Sequence, residues 1–147
     1  MDRERAGEPP RSASHLRELT PSECEKLLQE HQVGRVAFCG GAGPLILPVN
    51  YRVHTGQVVF RTSAYGPLAE LRRRTPVAFE IDGISQREEA GWDVLARGTA
   101  EAVTQDHVLA ELWGSGPIPW AKGTRNLFIA ITVTSLTGRV LRGPFAD

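Results

Sequence analysis

The sequence predicts a mainly β protein: six or seven antiparallel strands in a closed or nearly closed barrel, with two or three short helices at its periphery. Three observations carry this expectation. From Val33 to Arg142 the chain is dominated by β-branched and aromatic runs punctuated by turn residues. The first three of these runs are joined by turns so short that they must pair as an antiparallel meander. At 147 residues the chain can bury one sizeable core, and closing the sheet on itself is the standard way to remove its exposed edges.

The elements follow in order. Residues 1–17 are charged, rich in Pro, Ser and Gly, and without hydrophobic period, which predicts a flexible arm ahead of one folded domain over 18–147. Thr20, Pro21, Ser22 and Glu23 fit a capping box with Pro at the first helical position, and Leu19 with Cys24 fits a hydrophobic staple. Cys24, Leu27, Leu28 and His31 then share one face, so a short amphipathic helix is predicted over 21–31. Strands are predicted over 33–39, 45–53 and 58–62, separated by the glycine-rich reversal at 40–44 and the turn at 54–57. A short helix over 65–74 places Leu68 and Leu71 on one face, ends in three arginines suited to a helix C-terminus, and is stopped by Pro76. A fourth strand covers 77–82 and a fifth, longer one 92–103, with a polar hairpin loop between them. Thr104 or Asp106 can cap a helix running through Trp113, and the Gly- and Pro-rich stretch 114–123 is predicted to be irregular. A sixth strand covers 127–134, and a last extended piece, 137–142, contains the turn-prone Gly138.

Composition narrows the function. Lys plus Arg and Asp plus Glu both number 17, so the basic excess that a phosphate backbone requires is missing and no nucleic-acid partner is expected. No apolar run approaches the roughly 20 residues of a membrane span, and the first residues lack the apolar stretch of a signal peptide, so a cytoplasmic protein is expected. Cys24 and Cys39 show no metal spacing, and His15, His31, His54 and His107 are scattered singly, so no metal ligand is assigned. Neither a Ser/His/Asp set, a zinc motif, a P-loop nor a dinucleotide GxGxxG is present. This points away from protein-borne catalysis and toward a borrowed cofactor, and no catalytic residue is named.

The most informative stretch runs from Val58 to Leu68, where a strand ends in Arg61, Thr62 and Ser63 and turns through Gly66 directly into a helix. A guanidinium, two hydroxyls and the N–H groups of a helix start can together cradle a phosphate, although strand, cap and helix junctions are also common structural features. Five segments in order, 33–38, 47–51, 59–68, 77–82 and 91–100, then resemble the pyridoxamine 5'-phosphate oxidase-like family, whose fold is an FMN-binding split β-barrel. The resemblance covers most of residues 18–142. It implies that Pro48, Val49 and Asn50 run alongside the flavin ring and that Arg61, Thr62, Ser63, Gly66 and Leu68 hold the ribityl phosphate. It implies that Trp92 and Asp93 approach the flavin from the side, that Trp120 can supply an aromatic wall from a second subunit, and that the protein is a homodimer. Trp113, on a helix face, reads instead as a core or interface anchor.

Three departures qualify the resemblance. Pro67 stands where a Lys often follows the glycine, Asp93 stands where a Gln or Ser is more usual, and the chain ends 141–147 without the Arg/His pattern that resembles pyridoxal phosphate recognition. The resemblance therefore implies an FMN-dependent oxidoreductase whose substrate is not pyridoxamine phosphate. Two alternatives remain within the same reading. One is a reductase using deazaflavin F420, whose anionic tail would suit Arg72 to Arg74 and Arg125; the other is a flavin- or haem-binding carrier or sensor without turnover.

Overall fold

The computed structural model describes residues 15–142. Its seven strands are β1 (His15–Glu18), β2 (Val33–Gly40), β3 (Gly43–His54), β4 (Gln57–Thr62), β5 (Thr75–Ser85), β6 (Ala90–Ala102) and β7 (Leu127–Arg142). They form one antiparallel sheet in the order β1-β7-β4-β3-β2-β5-β6, and β6 pairs back onto β7 to close a six-stranded barrel with β1 outside it. Two α-helices, α1 (Pro21–Glu30) and α2 (Asp106–Ser115), and a 3₁₀ helix over Pro67–Arg72 complete the described fold.

The alternation of the strands explains the closure. Val36 and Phe38 of β2, Val49 and Tyr51 of β3, Val58 and Phe60 of β4, Phe79 and Ile81 of β5, and Val94 and Ala96 of β6 all point into one core. Ile129 and Ile131 complete it from β7, and Leu68 and Leu71 of the 3₁₀ helix join it. Helix α1 begins with the expected capping box: Glu23 N–H donates to Thr20 Oγ1 at 3.2 Å and Thr20 N–H donates to Glu23 Oε2 at 2.8 Å. Its buried Cys24 and Leu28 face the barrel, and Tyr51 Oη donates to the Leu28 carbonyl at 2.7 Å, tying the last turn of the helix to β3. Burial pushes the Tyr51 hydroxyl well above the usual phenol range, so it stays a neutral donor. A second core lies outside the barrel, where Leu112 of α2 covers Val59, Phe128 and Ala130 from the outer faces of β4 and β7.

Several expectations are corrected. The arm predicted over 1–17 gives way at His15, because His15–Glu18 pairs with Arg139–Arg142 of β7; residues 1–14 lie outside the described residues. The helix predicted over 65–74 is a shorter 3₁₀ helix, since Pro67 and the N–H bonds from Ala69 to Gly66 and from Arg73 to Glu70 leave room for i to i+3 turns only. Neither Thr104 nor Asp106 caps α2: the N-cap is Gln105, with no side-chain bond. The two pieces predicted over 127–134 and 137–142 are one continuous strand, with Gly138 buried in it rather than turning the chain.

Candidate functional site

Pairing of β3 with β4 starts at the tight turn through Thr55 and Gly56, whose positive φ values of 47° and 76° suit a hairpin, and stops at Tyr51↔Phe60. Beyond that pair β3 continues along β2 and β4 continues along β7. The barrel wall therefore splits between the first half of β3 and the end of β4, and a cleft of about 250 Å³ opens there.

Eight of the eleven residues expected to hold a cofactor line this cleft: Pro48, Val49 and Asn50 on one wall, and Arg61, Thr62, Ser63, Gly66 and Leu68 on the other. Arg61 leaves the outer face of β4, since its neighbours Phe60 and Thr62 are buried inward. Its Nε donates to the Arg125 carbonyl at 2.9 Å, and its guanidinium carbon lies 4.5 Å from the centroid of the Trp113 ring and 5.4 Å from that of Phe128. The terminal amino groups of Arg61 make no hydrogen bond among the described residues. Gly66 faces open space, with nothing within 4 Å of where a side chain would begin.

Part of the backbone donor set that the sequence suggested is already engaged. The N–H of Tyr65 is taken by Ser63 Oγ at 3.2 Å, that of Ala69 by the Gly66 carbonyl at 3.0 Å, and Pro67 has none. Leu68 N–H, at the start of the 3₁₀ helix, keeps no partner among the described residues, so the cleft can offer an anion a backbone donor beside its side chains. Sequence reasoning assigned Arg125 only to the tail of a different cofactor, yet it lines the same cleft, together with Leu47, Pro67, Pro119 and Ala121. Arg72 is committed elsewhere: its Nε and Nη2 donate to the carbonyls of Ala69 and Ala64, and neither Arg73 nor Arg74 lines the cleft. Of the four arginines considered for an F420 tail, Arg125 is the one that lines the cleft itself.

The remaining three residues are placed differently. Trp120 reaches the site through its backbone, whose N–H donates to Asn50 Oδ1 at 2.9 Å, while its residue surface is 73% exposed. Trp92 and Asp93 lie in a separate cleft of about 590 Å³ with Leu16, Ile84, Arg139 and Leu141. There Trp92 packs 4.7 Å from the His31 ring, and Asp93 is paired with Arg139, whose Nη2 donates at 2.6 Å and whose backbone N–H donates at 3.1 Å. The carboxylate that looked out of place beside a flavin is thus matched by a cation of its own chain.

A model of the family described as pyridoxamine 5'-phosphate oxidase matches residues 20–140. The chain belongs to this family. An uncharacterized protein of Mycobacterium tuberculosis is 31% identical over 134 residues, which make up 88% of each chain. Among solved structures, the FAD-binding protein from Mycobacterium smegmatis superposes with a TM-score of 0.71 at 29% identity, covering 85% of this chain and 98% of that one. A putative pyridoxamine 5'-phosphate oxidase from Corynebacterium glutamicum gives a TM-score of 0.75 at 26% identity, covering 87% and 99%. The fold is that family's split β-barrel.

The residues present fit a phosphorylated ligand. A guanidinium with its amino groups unengaged, the Ser63 hydroxyl, a second arginine and open space at Gly66 converge on one cleft, which is the donor set that phosphate oxygens require. No cluster of His, Cys, Asp and Glu among the described residues could hold a metal ion, and no described helix is long and apolar enough to cross a membrane.

Proposed function

We propose that this protein is a cytoplasmic FMN-binding oxidoreductase, acting as a homodimer on a small molecule other than pyridoxamine phosphate. The observation that supports it best is the convergence of eight expected cofactor-binding residues on the cleft where β3 and β4 part. The M. smegmatis structure of 29% identity is named as an FAD-binding protein, which favours a flavin here too. When bound, FMN supplies the hydride and electron chemistry. The protein's part is to bind and orient: Arg61 and Arg125 meet the phosphate, Ser63 adds a hydroxyl, and the outer edge of β3 at Pro48 and Asn50 flanks the ring. Arg125 provides the second cation that Pro67 does not.

The cleft of one chain, at about 250 Å³, falls below the roughly 300–1,000 Å³ typical of small-molecule sites. A partner subunit supplies the missing wall in this reading, and Trp92 and Asp93, remote from the cleft of their own chain, are the residues it brings. Arg61→Ala tests the placement. Losing a charged hydrogen-bond partner costs about 1.5 to 3 kcal/mol, so FMN affinity should fall roughly ten- to a hundredfold while riboflavin, which lacks the phosphate, is almost unaffected. Fluorescence titration of FMN, FAD, F420 and riboflavin into wild type and variant reads this directly. Equal losses for FMN and riboflavin would remove Arg61 from the phosphate site, and preferential binding of F420 or FAD would replace FMN as the cofactor.

A further inference from the structure

We propose that Trp113 is the positioning residue for Arg61, and through it sets the preference of the cleft for a phosphorylated flavin over an unphosphorylated one; this rests on the flavin reading above. Trp113 stands near the end of α2 and is 55% exposed, whereas its neighbour Leu112 is 2% exposed and does the anchoring, packed on Val59, Phe128 and Ala130. A tryptophan serving only as a core anchor would be expected inside that cluster. This one instead lays its ring against the Arg61 guanidinium, 4.5 Å from the ring centroid, while meeting Phe128 edge-on at 5.0 Å and an interplanar angle of 90°.

The consequence lies in the freedom of Arg61. A long arginine side chain on an outer strand face samples many rotamers, and each must be given up when its fork meets a phosphate. Here three contacts fix the guanidinium in advance: the Trp113 ring, the Phe128 ring, and the Arg125 carbonyl that accepts from Nε. The carbonyl engages only Nε, so the two terminal amino groups stay available for paired hydrogen bonds to phosphate oxygens. The Trp113 and Phe128 rings stand at 90° to each other, so the guanidinium is held in the angle between two aromatic contacts while its terminal amino groups keep no hydrogen-bond partner among the described residues. Trp113 does not itself line the cleft, so it acts through Arg61.

The test is a double-mutant cycle read as the ratio of FMN to riboflavin affinity, titrated by flavin fluorescence. Trp113→Leu should lower that ratio about two- to fivefold, the range of an exposed cation–π contact, and Trp113→Phe, which keeps an aromatic face, should retain most of it. In an Arg61→Ala background Trp113→Leu should change the ratio no further. Riboflavin affinity serves as the internal control for folding: equal losses for both ligands would mean a structural role only and overturn the proposal. So would an unchanged ratio in Trp113→Leu when Arg61→Ala abolishes it, an outcome that leaves the flavin reading intact. A wild-type protein that binds FMN no better than riboflavin would overturn the anchor and its positioning residue together.

Discussion

Glu80 stands on the outer face of β5 with Asp82 two residues along, and the Arg35 guanidinium reaches both carboxylates at 3.1 Å. Burial and then the neighbouring Asp82 carboxyl raise its pKa above the ordinary 4.5, and the attraction of Arg35 does not fully offset them. A carboxyl whose folded pKa exceeds its unfolded value holds its proton more tightly when folded. Its contribution to stability is therefore complete below about pH 4.5 and is lost as pH rises through the higher folded value. Glu80→Gln should remove that loss, so on going from pH 4.5 to pH 7 the denaturant midpoint should rise more, or fall less, in the variant than in wild type. An identical difference in both proteins would mean that Glu80 titrates alike folded and unfolded. None of this was legible in the sequence, because Arg35 and Glu80 are 45 residues apart and meet only through the β2–β5 register. The same limit hid the partner of Asp93. The grouping of Arg61 with Thr62, Ser63 and Gly66 at one cleft was legible because they are neighbours in sequence.

Elements whose identity depends on local chemistry could be read, and those that depend on a distant neighbour could not. The capping box of α1 and the strands β2, β3 and β4 follow from residues within a few positions of each other. β7 misled because Thr134 interrupts its alternation. Arg97 pairs with Ser135 but Gly98 pairs with Val133, so Thr134 is the extra residue of a bulge, and its Oγ1 donates to the Arg97 carbonyl at 3.2 Å. Gly98 is what lets the bulge sit flat: a Cβ there would lie 2.0 Å from the Thr132 carbonyl oxygen, which is backbone of the paired strand and cannot swing aside. Gly98→Ala should cost about 3 kcal/mol or more, at the upper end of overpacking penalties, measured as a lowered denaturant midpoint. Gly114→Ala provides the contrast. It lies in α2 with nothing within 4 Å of its Cβ position, and should be neutral or stabilising by up to roughly 1 kcal/mol. Equal effects at the two glycines would mean that strand approach, and with it the β6–β7 closure, is looser than the register implies.

At the scale of the whole molecule, the helices leave one face of the barrel uncovered. α1 packs against β3, β6 and β7, and α2 covers β4 and β7 and reaches the end of β3 at His54, whose Nε2 lies 3.2 Å from Glu111 Oε2, but no helix among the described residues covers the outer face of β2, of the first half of β3 or of β5. Register places Ala37 between Ile46 and Ala78, Arg35 between Pro48 and Glu80, and Cys39 opposite Pro44, so this face is an apolar strip around one ion-paired cluster. Ile46 is 60% exposed on it, in a protein whose other branched strand residues are mostly inside. Patches of this kind mark interaction surfaces, and a self-complementary one favours a two-fold dimer. The strip is continuous with Pro48 and Asn50, so a partner seated on it would also border the Arg61 cleft. Ile46→Glu sets a carboxylate in the middle of the strip without touching the core. It should give particles of one chain's mass by light scattering where wild type gives two, unfold with unchanged cooperativity, and bind FMN more weakly because the cleft has lost its second wall. A variant that is monomeric yet binds FMN as tightly as wild type would show that each chain holds the cofactor alone. A wild type of one chain's mass at every concentration would leave the strip without its partner and the dimer reading wrong.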